Sequence, residues 1–149
     1  EGVLAKIDAA EAAGHRLVLD GRSAVRERGY YVGPTLFADV PNSAALAQTE
    51  VFGPVASPEA WSDDEDAIQR ANDTAYGLAA GIWTADVALA MRMAARIEAG
   101  TVYINNYFNA ATQSPIGGFK QSGYGRENGI EGMRCFMQTK SVWLATNPK

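Results

Sequence analysis

Leu78-Ala79-Ala80-Gly81-Ile82-Trp83-Thr84-Ala85-Asp86-Val87-Ala88-Leu89-Ala90-Met91-Arg92-Met93-Ala94-Ala95-Arg96-Ile97-Glu98-Ala99-Gly100-Thr101-Val102-Tyr103-Ile104 contains three elements in a row. The short apolar run from Leu78 to Trp83 suits a buried strand. Thr84 can cap a helix in which Val87, Ala90, Met91, Ala94 and Ile97 form an apolar stripe, with Gly100 as its end. Thr101 to Ile104 is β-branched and aromatic, the composition of a strand. A strand, a helix and a returning strand form the repeating unit of α/β proteins with a parallel sheet.

The flanks extend this alternation. Upstream, Val3, Leu4, Ile7 and Ala10 recur at helical spacing, and Gly14 supplies a left-handed stop. Arg16 to Leu19 predicts a strand closed by Asp20-Gly21, and Tyr30 to Phe37 a second one interrupted by Gly33-Pro34. Pro41-Asn42-Ser43 predicts a turn and cap before a brief helix to about Gln48, and Phe52-Gly53-Pro54 breaks the chain again. Ser62-Asp63-Asp64-Glu65 has the capping-box pattern, opening a helix with Ala67, Ile68 and Ala71 inward. Downstream, Asn105 to Tyr124 shows almost no regular pattern, and long irregular stretches are often functional. A last helix over 126–137 and a last strand over 140–144 complete an α/β chain with a largely parallel sheet.

Composition narrows the functional classes. Of 149 residues, 47% are hydrophobic and 20% charged, which fits one folded domain and excludes a disordered tail or a disulfide-dense mini-protein. The net charge of −4, with no basic stripe, speaks against a nucleic-acid partner. Apolar runs are too short for a bilayer core of about 30 Å, so no membrane partner is expected. One cysteine and one histidine leave no disulfide and no zinc site of the Cys/His type, and a cytoplasmic location is expected. The chain starts at Glu1 with no leader-like segment, and its first residues read as mid-protein helix, as expected for part of a longer polypeptide.

Few residues carry chemistry by themselves. Cys135 falls late in the last predicted helix, where the dipole disfavours a thiolate, and reads as inert packing. His15 reads as a solvated histidine after a helix stop. Gly123-Tyr124-Gly125 does not complete a dinucleotide fingerprint, because Asn128 stands where the third glycine belongs. Glu50 precedes the tight Phe52-Gly53-Pro54 break; it is either a solvated acid or a carboxylate held to accept bonds from paired ribose hydroxyls. Glu127 at the start of the last predicted helix either stabilises that terminus or handles a proton at a cavity.

Four segments in one order resemble a known family. They are Glu50-Val51-Phe52-Gly53-Pro54-Val55, Ala71-Asn72-Asp73-Thr74-Ala75-Tyr76-Gly77-Leu78-Ala79-Ala80-Gly81, Ala99-Gly100-Thr101-Val102-Tyr103-Ile104-Asn105 and Pro115-Ile116-Gly117-Gly118-Phe119-Lys120-Gln121-Ser122-Gly123-Tyr124-Gly125-Arg126-Glu127. Together they resemble the C-terminal part of the NAD(P)-dependent aldehyde dehydrogenases, with the flavour of the betaine-aldehyde and aminoaldehyde branch. The resemblance implies residues 1–138 as part of the catalytic domain and 139–149 as an oligomerisation strand and tail. It implies oxidation of an aldehyde to a carboxylic acid through a cysteine thioester, with NAD or NADP as cofactor. The nucleophile and the dinucleotide-binding domain have no match in these residues, so the chain by itself is expected to be inactive.

The resemblance also implies roles. Glu50 matches the carboxylate that binds the nicotinamide ribose, and Phe52 the aromatic beside the nicotinamide. Glu127 matches a carboxylate given a proton-relay role in some branches. Tyr107, Phe108, Asn109 and Ala110 fall in the loop that lines the aldehyde tunnel, where aromatic walls suit an apolar or cationic substrate. Backbone carbonyls near Lys120 and Gly123 match a monovalent-cation site, implying K+. The last strand matches an arm that joins a neighbouring subunit's sheet, implying a homo-dimer or homo-tetramer. Three departures are visible: Ala56-Ser57-Pro58 where an apolar strand usually continues, Thr49 where a second acid is common, and Ile116 where an aromatic is common. The alternative is a non-catalytic interaction domain that oligomerises through its last strand.

Overall fold

A computed structural model describes residues 2–24, 26, 28–109 and 111–147. The chain divides into two units, residues 1–74 and 75–149.

In the first unit, α1 (Gly2–Ala12) ends at Gly14, whose φ of +85° is the left-handed stop expected there. The Gly14 amide donates to the Glu11 carbonyl (2.9 Å) and the His15 amide to the Ala10 carbonyl (3.2 Å), which closes the helix end in a Schellman pattern. β1 (Arg16–Leu19) pairs antiparallel with β2 (Thr35–Ala38), and β2 pairs parallel with β3 (Val55–Ala56). The second strand starts at Thr35 and not at Tyr30. Pro34 has no amide to donate, and the Gly33 amide turns away to the Gly21 carbonyl (2.9 Å). The two-residue β3 agrees with the break introduced by Ser57-Pro58.

The core of this unit is Ile7, Ala10, Phe37 and Val40, with Leu4, Leu17, Leu46 and Val55 packed against it. α2 (Ala45–Gln48) supplies Leu46, and α3 (Asp64–Asn72) buries Ile68. Ala67 is half-buried beside Ile68, but Ala71 is exposed and not inward as expected. Arg22, in a 3-10 turn (Gly21–Ala24), bonds Asp8 and Glu11 of α1 and Asp20, so three carboxylates keep its guanidinium charged. The same guanidinium holds the Asp20 carboxyl below the usual carboxylate range.

In the second unit, β5 (Ala79–Ile82), α4 (Val87–Arg96) and β6 (Thr101–Ile104) form the expected crossover, with β5 and β6 parallel in the register Ala79↔Thr101 to Ile82↔Ile104. The cap is Asp86, whose carboxylate accepts the Leu89 amide (3.0 Å), while the Thr84 hydroxyl accepts the Asp86 amide (3.1 Å). Ala90 is buried, but Val87 is 73% exposed and Met91 is exposed too, so the inward stripe is narrower than the spacing predicts. Helix α4 already stops at Arg96; Gly100 serves a close approach and not a cap.

β4 (Tyr76–Gly77) and β7 (Phe119–Lys120) pair antiparallel. The sheets are therefore mixed, not mainly parallel. Among the described residues the passage from β1 to β2 holds only a short 3-10 turn, so β2 is free to return antiparallel. The last helix, α5 (Gly129–Arg134), is shorter than the predicted 126–137. Residues 138–145 form neither helix nor strand, so the expected last strand is not present in the isolated chain.

Candidate functional site

The bend after α2 is tied on every side. The Gly53 amide donates to the Val51 carbonyl (2.7 Å), the Val55 amide to the Gly53 carbonyl (2.8 Å) and the Thr35 amide to the Pro54 carbonyl (2.8 Å). A Cβ added at Gly53 would lie 2.7 Å from Val3 Cγ2, so the bend approaches α1 more closely than a side chain allows. Lys6 Nζ donates to the Glu50 carbonyl. Asn42 Nδ2 bonds the Asp73 carboxylate (2.9 Å), and Gln48 Nε2 bonds the Asp73 carbonyl (2.7 Å), which anchors the end of α2 to the end of α3. On this base Glu50 is exposed and Phe52 is 86% exposed. A carboxylate and an apolar ring are thus presented outward from an anchored bend, an arrangement suited to a hydroxyl-bearing, planar ligand.

In the second unit the ends of β5 and β6 are joined by one side chain. Asn105 Oδ1 accepts the Thr84 amide (2.9 Å), and its Nδ2 donates to the Thr84 carbonyl (2.8 Å). Asn105 and Phe108 both have positive φ, +52° and +59°, a conformation uncommon for residues with side chains. Beyond this joint Tyr107 touches three rings: Trp83 at 6.2 Å, Tyr103 at 5.1 Å and Phe108 edge-on at 4.9 Å between centroids. Tyr107 and Phe108 were expected at a wall; Trp83 and Tyr103 join them without having been expected. Their signal was their place at the carboxyl ends of adjacent parallel strands, where α/β sheets bind ligands. Asn109 is exposed beside the cluster, and Ala110 lies outside the described residues.

Glu127 is not on the last helix. Its amide donates to the Ile116 carbonyl (2.7 Å) and its carbonyl accepts the Ile116 amide (2.8 Å), an isolated antiparallel bridge just before the N-cap Asn128 of α5. It lines a cavity of about 580 Å³ with Leu78, Ile116, Ser122, Arg126 and Cys135. Arg126 lies over the Phe119 ring at 5.4 Å and donates to the Gly118 carbonyl (3.2 Å), which holds the glycine-rich loop together. Cys135 is exposed and not packed inside, with Sγ 3.5 Å from the Glu131 carbonyl. His15 is half-buried, not fully solvated, and lines a groove between α1 and α2.

Lys120 and Gly123 have φ of +51° and +137°, and the Lys120 ammonium pairs with Glu98 at 2.7 Å. Only their main chain is then available to a cation. Two carbonyls do not complete the oxygen shell of an ion such as K+, and the described residues hold no cluster of three metal-ligating side chains. These two carbonyls by themselves supply only part of such a shell.

Residues 1–142 match the profile described as "Aldehyde dehydrogenase family". The chain belongs to this family. It is 47% identical over 148 residues to a betaine aldehyde dehydrogenase of Cereibacter sphaeroides (strain ATCC 17023), covering 99% of this chain and 30% of that protein. It is 41% identical to an aldehyde dehydrogenase of Enchytraeus buchholzi, covering 99% of this chain and 29% of that protein. Among solved structures, a betaine aldehyde dehydrogenase variant of Staphylococcus aureus in complex with NAD+ superposes with a TM-score of 0.93 at 36% identity, over 99% of this chain and 30% of that one. A P. syringae indole-3-acetaldehyde dehydrogenase mutant bound to NAD+ and IAA superposes with a TM-score of 0.90 at 42% identity, over 96% and 29%.

The chain thus spans about 30% of the length of its aldehyde dehydrogenase relatives. These matches establish the family and the share of length. They do not establish the C-terminal location that the motif order led us to expect.

Proposed function

We propose that these residues form part of an NAD(P)-dependent aldehyde dehydrogenase that converts an aldehyde to a carboxylic acid. Glu50 accepts hydrogen bonds from the two hydroxyls of the nicotinamide ribose, charge-assisted contacts that need a carboxylate held at a set angle. Phe52 packs beside the nicotinamide ring. The nicotinamide, when bound, supplies the hydride acceptor. The single observation that carries this reading is the anchored bend that presents both side chains outward, two positions apart.

Tyr107, Phe108 and Asn109 line the aldehyde path, with Trp83 and Tyr103 extending the aromatic wall. Such a wall attracts apolar or cationic aldehydes through dispersion and cation–π contact. Glu127, exposed at its cavity, hands protons toward solvent. The thiol that forms the thioester lies outside these residues, since Cys135 does not occupy the matching motif. Residues 1–138 then belong to the catalytic domain, and 139–149 form an arm that pairs with a neighbouring subunit in a dimer or tetramer.

The test is an assay of the 149-residue chain and of the longer natural polypeptide that contains it, with aldehyde and NAD or NADP. Turnover is expected only from the longer form, and Glu50→Gln there is expected to weaken cofactor binding. Turnover by the short chain, or unchanged cofactor affinity in the variant, would overturn the assignment. The exposed Val142, Trp143 and Leu144 favour association as a second, compatible role. A longer polypeptide with no turnover would leave a purely interacting domain as the better reading.

A further inference from the structure

We propose that Lys6 is a positioning residue for Glu50, acting from α1 across a groove to set the angle of the ribose-binding carboxylate. This inference rests on the reading of Glu50 given above. Lys6 and Glu50 are 44 positions apart in the chain, yet the Lys6 ammonium donates to the Glu50 main-chain carbonyl. The bond is to the peptide and not to the carboxylate, so it fixes the backbone from which the acid projects without using the acid's own acceptors.

The surroundings explain why one bond matters here. Between α1 and the segment around α2 lies a groove of about 340 Å³, with Lys6, Ala9 and Ala13 on one side and Leu46, Thr49 and Val51 on the other. The open volume means that residues 49–51 are not close-packed against α1 along the groove. The segment is linked to α1 by the approach of Gly53 to Val3 and by the bond from Lys6 to Glu50. The Val3 contact is apolar and fixes distance. The Lys6 contact is directional and charge-assisted, so it also fixes orientation. The half-buried position of Lys6 restricts its stem and reduces the entropy lost in holding this geometry.

The experiment is a double-mutant cycle in the longer natural enzyme, with NAD affinity measured by calorimetry, KM and kcat measured separately, and thermal unfolding as a control. Lys6→Met is expected to weaken NAD binding about tenfold, the scale of one lost hydrogen bond to a charged group. At saturating NAD, kcat should hold, and the unfolding midpoint should fall by only a few degrees, because the bond also ties α1 to the segment. Lys6→Arg, which keeps a charged donor, should restore affinity to within about twofold of the native enzyme. In the Glu50→Gln background, Lys6→Met should add no further loss, because the lysine acts through that residue.

If Lys6→Met leaves NAD affinity unchanged while Glu50→Gln lowers it, the positioning role is overturned and the ribose reading stands. If the two losses simply add, Lys6 acts independently of Glu50 and the inference is equally overturned. If Glu50→Gln itself leaves affinity unchanged, the ribose reading falls and takes this inference with it. Should Lys6→Met fail to fold, Lys6→Gln, which keeps a donor without the charge, replaces it in the same cycle.

Discussion

Gly100 shows how little room a close backbone approach leaves. A Cβ there would lie 1.6 Å from the Gly117 carbonyl oxygen, so the glycine-rich loop can reach the start of β6 only over a residue without a side chain. Gly100→Ala is expected to cost about 3 kcal/mol, the upper end for overpacking, and to lower the urea midpoint accordingly. An unchanged midpoint would show that the loop moves aside freely. Tyr107 is decisive for a different reason, since it contacts three other rings. In the longer enzyme, Tyr107→Ala is expected to lower kcat/KM about tenfold for a quaternary-ammonium aldehyde and much less for a small aliphatic one. Equal losses on both substrates would remove the ring cluster from the aldehyde wall. Tyr107 and Phe108 were named for the wall by the family resemblance, a role this assay tests. Trp83 and Tyr103 were not, because their proximity depends on two strands lying side by side.

Helix α3 illustrates what caps contribute at the scale of an element. The sequence suggests a box from Ser62 to Glu65, but the box in place is one residue later. Asp63 accepts the Asp66 amide (2.9 Å), and Asp66 reaches back to the Ser62 amide (2.9 Å) and on to Arg70 (2.7 Å). Two overlapping acidic patterns satisfied the same rule, and only the extended backbone of Asp63 selected between them. The Ser62 amide first, and Arg70 second, hold the Asp66 carboxyl below its ordinary range. A depressed folded-state value means that the stabilisation is fully present above the unfolded-state value and is lost as pH falls through the folded-state one. Asp66→Asn should therefore be less stable than the native chain near pH 7 and should converge with it well below about pH 4 in pH-resolved urea unfolding. A gap that persists in acid would assign the effect to side-chain shape and not to charge.

At the scale of the whole molecule, the last residues stand apart. Val142, Trp143 and Leu144 are exposed, Trp143 to 95%, in a segment with no strand of its own. A strand exists only when its amides and carbonyls find a partner edge, and an exposed apolar segment favours association. Deleting residues 139–149 is expected to shift the chain toward monomer in light scattering across the working concentration range. An unchanged mass would place the association surface elsewhere, for example on the exposed Val87 and Met91 of α4. Among the described residues no helix is long and apolar enough to cross a membrane.

Local rules settled a definite part of this protein. The Gly14 stop, the strand–helix–strand unit and the shortened strand at Ser57-Pro58 follow from backbone conformation and apolar spacing, both properties of neighbouring residues. The order of four motifs was enough to suggest the aldehyde dehydrogenases. Other features needed the folded chain: the mixed strand pairing, the later cap on α3, the bridge that takes Glu127 off its expected helix, and the lysine bonded to Glu50. Each depends on contacts between residues far apart in the chain, where competing local patterns are equally good until packing and hydrogen-bond geometry choose one.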